Sequence, residues 1–465
     1  MSLTKQKAPP AENKMGVLPE GKLLFNMALP MIASMLVQAL YNVVDSVYVS
    51  HIDQTGNAVT ALGLAFPVQN MQIALSAGIA VGVNALLSRS LGEGKREKAN
   101  LAAGNGIFLT LIAVFAFMLF GAFGARPFFA FQSSDAAIID GGIRYVSICC
   151  LFSIGLFAEV LFERMLQATG RTVYTMITQG TGAIINIILD PIFIFGYFGV
   201  PAMGIAGAAV ATVIGQWVAA GLALLFNLKC NPDIKLGISY CKPQKPILRD
   251  ILAVGFPSAL MMAISSVMNF GMNQILLGFG GTTGNAATGV FTVYYKLQSF
   301  FFMPVFGLNN ATISIVAYNY GHRQPKRILR TLRLSCAVAL GIMLLGLAVF
   351  QIIPGLLLNI FNLDEEFMGM GKSALRIISI NFPLAAFGIA LSGSFQALGK
   401  GVYATVVSLS RQLVLLLPVA FLLSLTRAVN NVWWAFPISE FVSLAITVLF
   451  FLRIYRRMIR PLTIS

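Results

Sequence analysis

Histidine is almost missing from this chain: His51 and His322 are the only two among 465 residues. Both fall in stretches that read as loops, so a histidine-built metal centre or a Ser/His nucleophilic pair has no raw material. Charge is scarce too. Only 11% of residues are charged against 57% hydrophobic, and a mean hydropathy of +0.81 leaves nothing for a soluble exterior. Such a chain is an integral membrane protein, and no enzymatic activity is expected of it. The five cysteines, Cys149, Cys150, Cys230, Cys241 and Cys336, are odd in number and fall in spans or inner loops, which argues against a disulfide framework. A phosphate-binding loop is also missing, because the nearest match, Gly371-Lys372-Ser373, has Glu366 where the motif requires its first glycine. Neither ATP nor any other cofactor is expected. The N-terminal stretch 1–22 lacks the apolar core and cleavage site of a signal peptide and reads as a disordered cytoplasmic tail.

What the chain does have is long apolar runs. At about 20 residues per crossing they predict twelve spans, near 23–49, 58–87, 101–123, 143–163, 172–196, 203–227, 249–278, 286–316, 331–352, 373–396, 402–425 and 432–455. The net charge of +15 invites a nucleic-acid reading. However, 25 of the 32 Lys/Arg fall in the tails and in alternate short connections, which is the positive-inside pattern. The expectation is a multi-pass plasma-membrane protein in the lipid bilayer, with both termini cytoplasmic and no nucleic-acid partner.

The stretch 228–247 is the one connection between spans rich in both Lys and Pro, and the sequence repeats itself around it. Pro30 and Asn42 recur as Pro257 and Asn269 at one shared offset. At almost the same offset Gly92 recurs as Gly321, and Gln167, Ala168 and Gly170 recur as Gln396, Ala397 and Gly399. A nearly constant offset of half the chain means a duplicated six-span unit. Six is even, so both copies enter from the same side and are related by an axis along the membrane normal, an arrangement of secondary transporters. The expected fold is all-α: twelve transmembrane helices in two six-helix bundles related by that pseudo-twofold. Its parts are a tail 1–22, an N-terminal lobe 23–227, a linker 228–248, a C-terminal lobe 249–456 and a tail 457–465. Pro30 and Pro257 sit in the first span of each copy and read either as hinges or as static bends. Gly78 and Gly82, and Gly207, Ala211 and Gly215, offer small residues at four-residue spacing for close helix packing.

Few charges lie inside the spans. Residues 182–196, GAIINIILDPIFIFG, carry Asn186 and Asp190 one helical turn apart. A carboxylate at membrane depth normally faces a cavity or a partner; the alternative is that Asp190 touches water at the outer interface. At the helical rise, Asp45 in span 1 and Thr212 in span 6 reach the same level. Together the four form an all-oxygen set suited to Na+ or to a shared proton, although the Thr212 hydroxyl can instead bond back to its own helix. The second copy has Met272 and Val419 at the positions matching Asp45 and Asp190, which confines this chemistry to the N-terminal half. Lys296, Arg411 and Glu440 lie near mid-membrane in the C-terminal half. With Asn42 they are candidates for substrate contact or lobe coupling, and structural ion pairing is the simpler alternative.

These residues resemble a known family. ALPM, LYNVVDSVYVS and LGLAFP, the SRSLGEGK loop, FERMLQATGRT, INIILDPIFIFG and GIAGAAVAT, then GFPS, AYNYGHR, FQALGKG, LSRQLVLLLP and WWAFPISE, are similar to a multidrug and toxic compound extrusion (MATE) transporter over residues 20–456. The resemblance implies an exporter of small organic, cationic substrates built as two bundles in a V, driven by H+ or Na+ entry and expected to be a monomer. It implies a coupling-cation site at Asp45, Asn186, Asp190 and Thr212. The acidic residues that another branch carries on helices 7, 8 and 10 have no match here, where Lys296 occupies helix 8. A lipid-linked sugar flippase of the same broader superfamily is the rival reading, kept open by Lys296 and Arg411.

Overall fold

The computed structural model describes residues 13–50, 57–132, 135–359 and 365–463. Ten helices in it are long and apolar enough to cross a membrane, and two bent pairs bring the number to twelve. In chain order they are α1 (Glu20–Ser50), α2 (Asn57–Gly92), α3 (Arg96–Gln132), α4 (Ala136–Leu151 with Ile154–Ala168), α5 (Thr172–Phe195), α6 (Ile205–Cys230), α7 (Lys245–Leu277), α8 (Gly281–Gly321), α9 (Pro325–Ile352), α10 (Glu365–Ser379 with Phe382–Ala397), α11 (Gly401–Ser424) and α12 (Ala435–Ile454). Among the described residues there is no strand. Lipid requires every backbone polar group to be satisfied within its own segment, and helices do that.

Two of the spans are bent, α4 by 45° and α10 by 47°. They are pseudo-equivalent elements. At the break in α4 the Phe152 carbonyl accepts from the Gly155 N–H at 3.3 Å and from Trp217 Nε1 of α6 at 3.2 Å. In α10 the second piece begins Phe382-Pro383, and a proline at the start of a helix lacks the N–H that would continue the first piece. In contrast, α1 and α7 run unbroken through Pro30 and Pro257.

The duplication appears as reciprocal contacts. A methyl group on Gly92 would collide with the Tyr318 carbonyl, and one on Gly321 with the Arg89 carbonyl; Arg89 and Tyr318 are counterparts at the same offset as the two glycines. Further along the same helices, a methyl on Gly78 of α2 would stand 2.7 Å from Ala259 Cβ of α7, and one on Gly307 of α8 2.9 Å from Ile32 N of α1. Where residue i meets j and the counterpart of i meets the counterpart of j, a twofold axis passes between the pairs. Close backbone approach through glycine is how helices associate when lipid is as apolar as leucine.

The halves also exchange their first helices. Leu23, Met27 and Met31 of α1 are buried in one apolar cluster with Leu308, Ala311 and Ile315 of α8, whereas Ile247 and Ile251 of α7 are buried among the side chains of α2 to α6. Helix α1 also packs along α5, from the Asn26 carbonyl, which accepts from Thr172 Oγ1 at 3.5 Å. Helix 1 therefore bridges the two cores, and Pro30 lies within its C-half contact, which continues through Met31 and Ile32.

The expected disordered tail is corrected for residues 13–22. A short helix, Lys14–Val17, is capped by Asn13, buries Met15 completely and docks beneath both halves. Asn13 Nδ2 donates to the Thr169 carbonyl at 3.2 Å, while Arg327 Nη2 donates to the Met15 and Leu18 carbonyls at 3.1 and 2.6 Å. Burial, and then the nearby Arg171 guanidinium, push the Lys14 pKa below its usual value, against the pull of Asp233. The linker is ordered as well. Asn105 of α3 donates to the Tyr240 and Lys242 carbonyls and accepts from Gln244 N.

Candidate functional site

Helix α5 buries an unusual set of residues: Thr172, Thr175, Thr178, Gly182, Asn186, Asp190 and Ile194, while Ile177, Ile184 and Ile188 face outward. Its apolar face meets lipid and its polar face is covered by α1, α4 and α6. Glycine allows that cover to be tight. A methyl on Gly215 of α6 would stand 2.8 Å from the Gly182 carbonyl, and one on Gly207 would collide with the Phe193 carbonyl. Gly204, at φ 55°, and Gly196, at φ 82°, let the α5–α6 turn fold back in the left-handed region.

This approach brings three of the four expected site residues together. Asp190 is fully buried, Asn186 is 3% exposed and Thr212 is half-buried. With its carboxamide nitrogen toward Asp190, Asn186 donates to Asp190 Oδ2 at 2.8 Å and accepts from Thr212 Oγ1 and the Thr212 backbone N–H at 3.2 and 3.0 Å; this orientation is assigned from the hydrogen bonding it satisfies. Thr212 is thus turned to Asn186. Asp45 rides on α1, which packs along α5; its side chain, like that of Asn42, lies outside the described residues. Among the described residues no three His, Cys, Asp or Glu side chains gather as a metal cluster. A hard cation here would rely on carboxamide and hydroxyl oxygens beside Asp190.

One part of the polar face escaped the sequence reading. Glu163 of α4 is 3% exposed and accepts from Thr178 Oγ1 at 2.5 Å and Gln179 Nε2 at 2.8 Å. Glu159, one turn earlier, has its Oε1 3.8 Å from where a methyl on Gly182 would stand. Carboxylates near a predicted span end look solvated in sequence; the signal was the matching run of hydroxyl and amide residues at three- and four-residue spacing on α5. A continuous polar seam therefore runs from Thr172 to Asp190.

In the C-terminal half, Arg411 Nη1 and Glu440 Oε1 pair at 3.5 Å, with side chains 28% and 7% exposed, while Lys296 is exposed on α8 and makes no ion pair among the described residues. The three candidates are thus not one cluster.

Fold and site together define a duplicated, multi-pass membrane transporter with a buried acidic site in its first half. The MatE family profile matches residues 30–192 and 257–422, and the chain belongs to that family. It is similar to the multidrug export protein MepA of Staphylococcus saprophyticus, 24% identical over 422 residues and 90% of each chain. Among solved structures it resembles a MATE transporter in complex with MaL6 (TM-score 0.90, 25% identity, 98% of this chain and 100% of that one). It also resembles the outward-facing conformation of a multidrug resistance MATE transporter of the MOP superfamily (TM-score 0.90, 25% identity, 99% and 100%).

Proposed function

We propose that this chain exports amphipathic, cationic small molecules across the plasma membrane, with both termini cytoplasmic, in exchange for a cation that enters at Asp190. The observation that carries the reading is the Asp190–Asn186–Thr212 chain of hydrogen bonds on the buried face of α5. The similarity to multidrug export proteins supports the substrate class.

The geometry favours a proton over Na+. An ionised Asp190 accepts from the Asn186 amide nitrogen, and Thr212 then donates to the amide oxygen. A protonated Asp190 becomes a donor, and the carboxamide can turn over to receive it, with its nitrogen 3.2 Å from Thr212 Oγ1. The Thr212 hydroxyl serves both orientations because it both donates and accepts, whereas the Thr212 backbone N–H only donates, so turning the carboxamide over gives up its 3.0 Å bond to the amide oxygen. Loading the site removes a charge between α1, which carries Asp45, and α5. Pro30 lies in the stretch of α1 that packs on the C-half core, and the relief of repulsion is passed to helix 1 as a change in its bend there.

Dye efflux from proteoliposomes under separately imposed pH and Na+ gradients tests this. Efflux driven by the pH gradient alone is expected, with Asp45→Asn and Asp190→Asn both inactive. Efflux driven only by Na+ would reject the proton, and full efflux by both variants would reject the site. The same vesicles test the flippase reading: preferential movement of anionic lipid headgroups over cationic dyes would favour it.

A further inference from the structure

The C-terminal half encloses a cavity between α7, α8, α10, α11 and α12, with about 70 Å³ of room for water-sized groups. Arg411 and Glu440 both line it. Arg411 meets Glu440 through one N–H at 3.5 Å, not the two-pronged fork a guanidinium makes with a carboxylate, and it is the more exposed of the two. Both charges therefore border the cavity, the guanidinium the more openly of the two.

Three features mark this as a built site. Asn309 Oδ1 is buried at the cavity wall with no hydrogen-bond partner, although a buried acceptor is costly to leave unpaired. Gly388 and Gly393 of α10 make the room: a methyl on Gly388 would stand 3.4 Å from Glu440 Oε1, and one on Gly393 would collide with Asn309 Oδ1. Residues 410–416 of α11 form a π-helical turn that holds Arg411, and such turns are rare and recur at functional sites.

The site carries one positive and one negative group and is neutral overall. A ligand with net charge would bring an uncompensated charge to this depth; a zwitterion would not. We propose that this cavity binds the headgroup of zwitterionic amphiphiles bearing a carboxylate and an ammonium. The carboxylate takes the free fork of Arg411, and the ammonium donates to Glu440 and to Asn309 Oδ1. The cavity admits a headgroup while the apolar remainder of the molecule lies against Met261 and Phe306, which also line it. This subsite goes beyond the cation-driven export reading, since it names a second substrate class and does not involve Asp190.

The test is equilibrium binding to the full-length protein in lipid nanodiscs, read by the fluorescence of Nε-dansyl-lysine, its methyl ester (cation only) and its Nα-acetyl derivative (anion only). The wild type is expected to bind the zwitterion at least tenfold more tightly than either derivative. Arg411→Gln should erase the preference over the ester, and Glu440→Gln the preference over the acetylated form. Asn309→Leu leaves the ion pair intact and should weaken the zwitterion several-fold, which keeps the test open should the charge variants fail to fold. Equal affinity for the three probes in the wild type, or a preference unchanged in all three variants, would overturn the proposal. Asp190→Asn separates the two readings: loss of dye export with the zwitterion preference intact supports both, whereas retained export rejects the Asp190 site and leaves this one standing.

Discussion

In the proposed exchange, coupling turns on Asp190, a fully buried carboxylate held by a carboxamide whose other side is held by a hydroxyl. Asp190→Asn keeps the volume and removes the titrating group, so gradient-driven export should fall to that of empty vesicles while expression and thermal unfolding stay close to wild type. Glu163 carries a different load. Glu163→Ala strips the acceptor from Gln179, while the Thr178 hydroxyl keeps the Thr175 carbonyl at 2.9 Å; one part-buried donor is left unpaired at about 1–3 kcal/mol, nearer the lower end within a membrane. Thermal unfolding in nanodiscs should show that loss, and Glu163→Gln, which retains an acceptor oxygen, should show less. Equal unfolding of both variants and wild type would mean these hydrogen bonds contribute nothing.

Between elements, the site depends on how closely α5 and α6 approach. Gly215→Ala places a methyl 2.8 Å from the Gly182 carbonyl, so the helices must separate and Thr212 must withdraw from Asn186. Export should drop at least tenfold although no site residue has changed. Gly180 on α5 has nothing within 4 Å of the same added atom, and Gly180→Ala should be neutral or slightly stabilising, as alanine is the better helix former. Equal loss in both would point to glycine flexibility and not to contact. Much of this was legible in the sequence. The spans follow from apolar length, the duplication from a nearly constant offset, and Asn186 with Asp190 from one-turn spacing in an otherwise apolar run. The bends of α4 and α10 were not, since each depends on a carbonyl or a proline start that leaves hydropathy unchanged. The docking of residues 13–18 was hidden because Arg327 recognises main-chain carbonyls there, which carry no side-chain pattern. Glu163 falls at the last position of the span expected near 143–163, where a carboxylate looks solvated, and is instead a buried acceptor.

At the scale of the whole molecule, both halves are tied at the face that carries the termini, through Gly92 and Gly321 and through the N-terminal segment beneath them. Parting the halves at that face must break either the Asn13 bond to Thr169 or the Arg327 bonds to Met15 and Leu18, which together tie the segment to both halves. Arg327→Ala should therefore favour that parting, seen as a longer distance between spin labels at Lys95 and Lys326 in double electron–electron resonance. An unchanged distance distribution would reduce the segment to a passive contact. The coupling account requires that substrate and proton favour different arrangements of α1, and a ligand shifts such an equilibrium only by its differential affinity. The effect must be reciprocal in binding. The most direct measurement is the affinity of a fluorescent cationic substrate across a pH series in wild type and Asp190→Asn. The account predicts affinity that weakens as pH falls in the wild type and is flat in Asp190→Asn. A flat wild-type profile, or the same slope in both proteins, would contradict it.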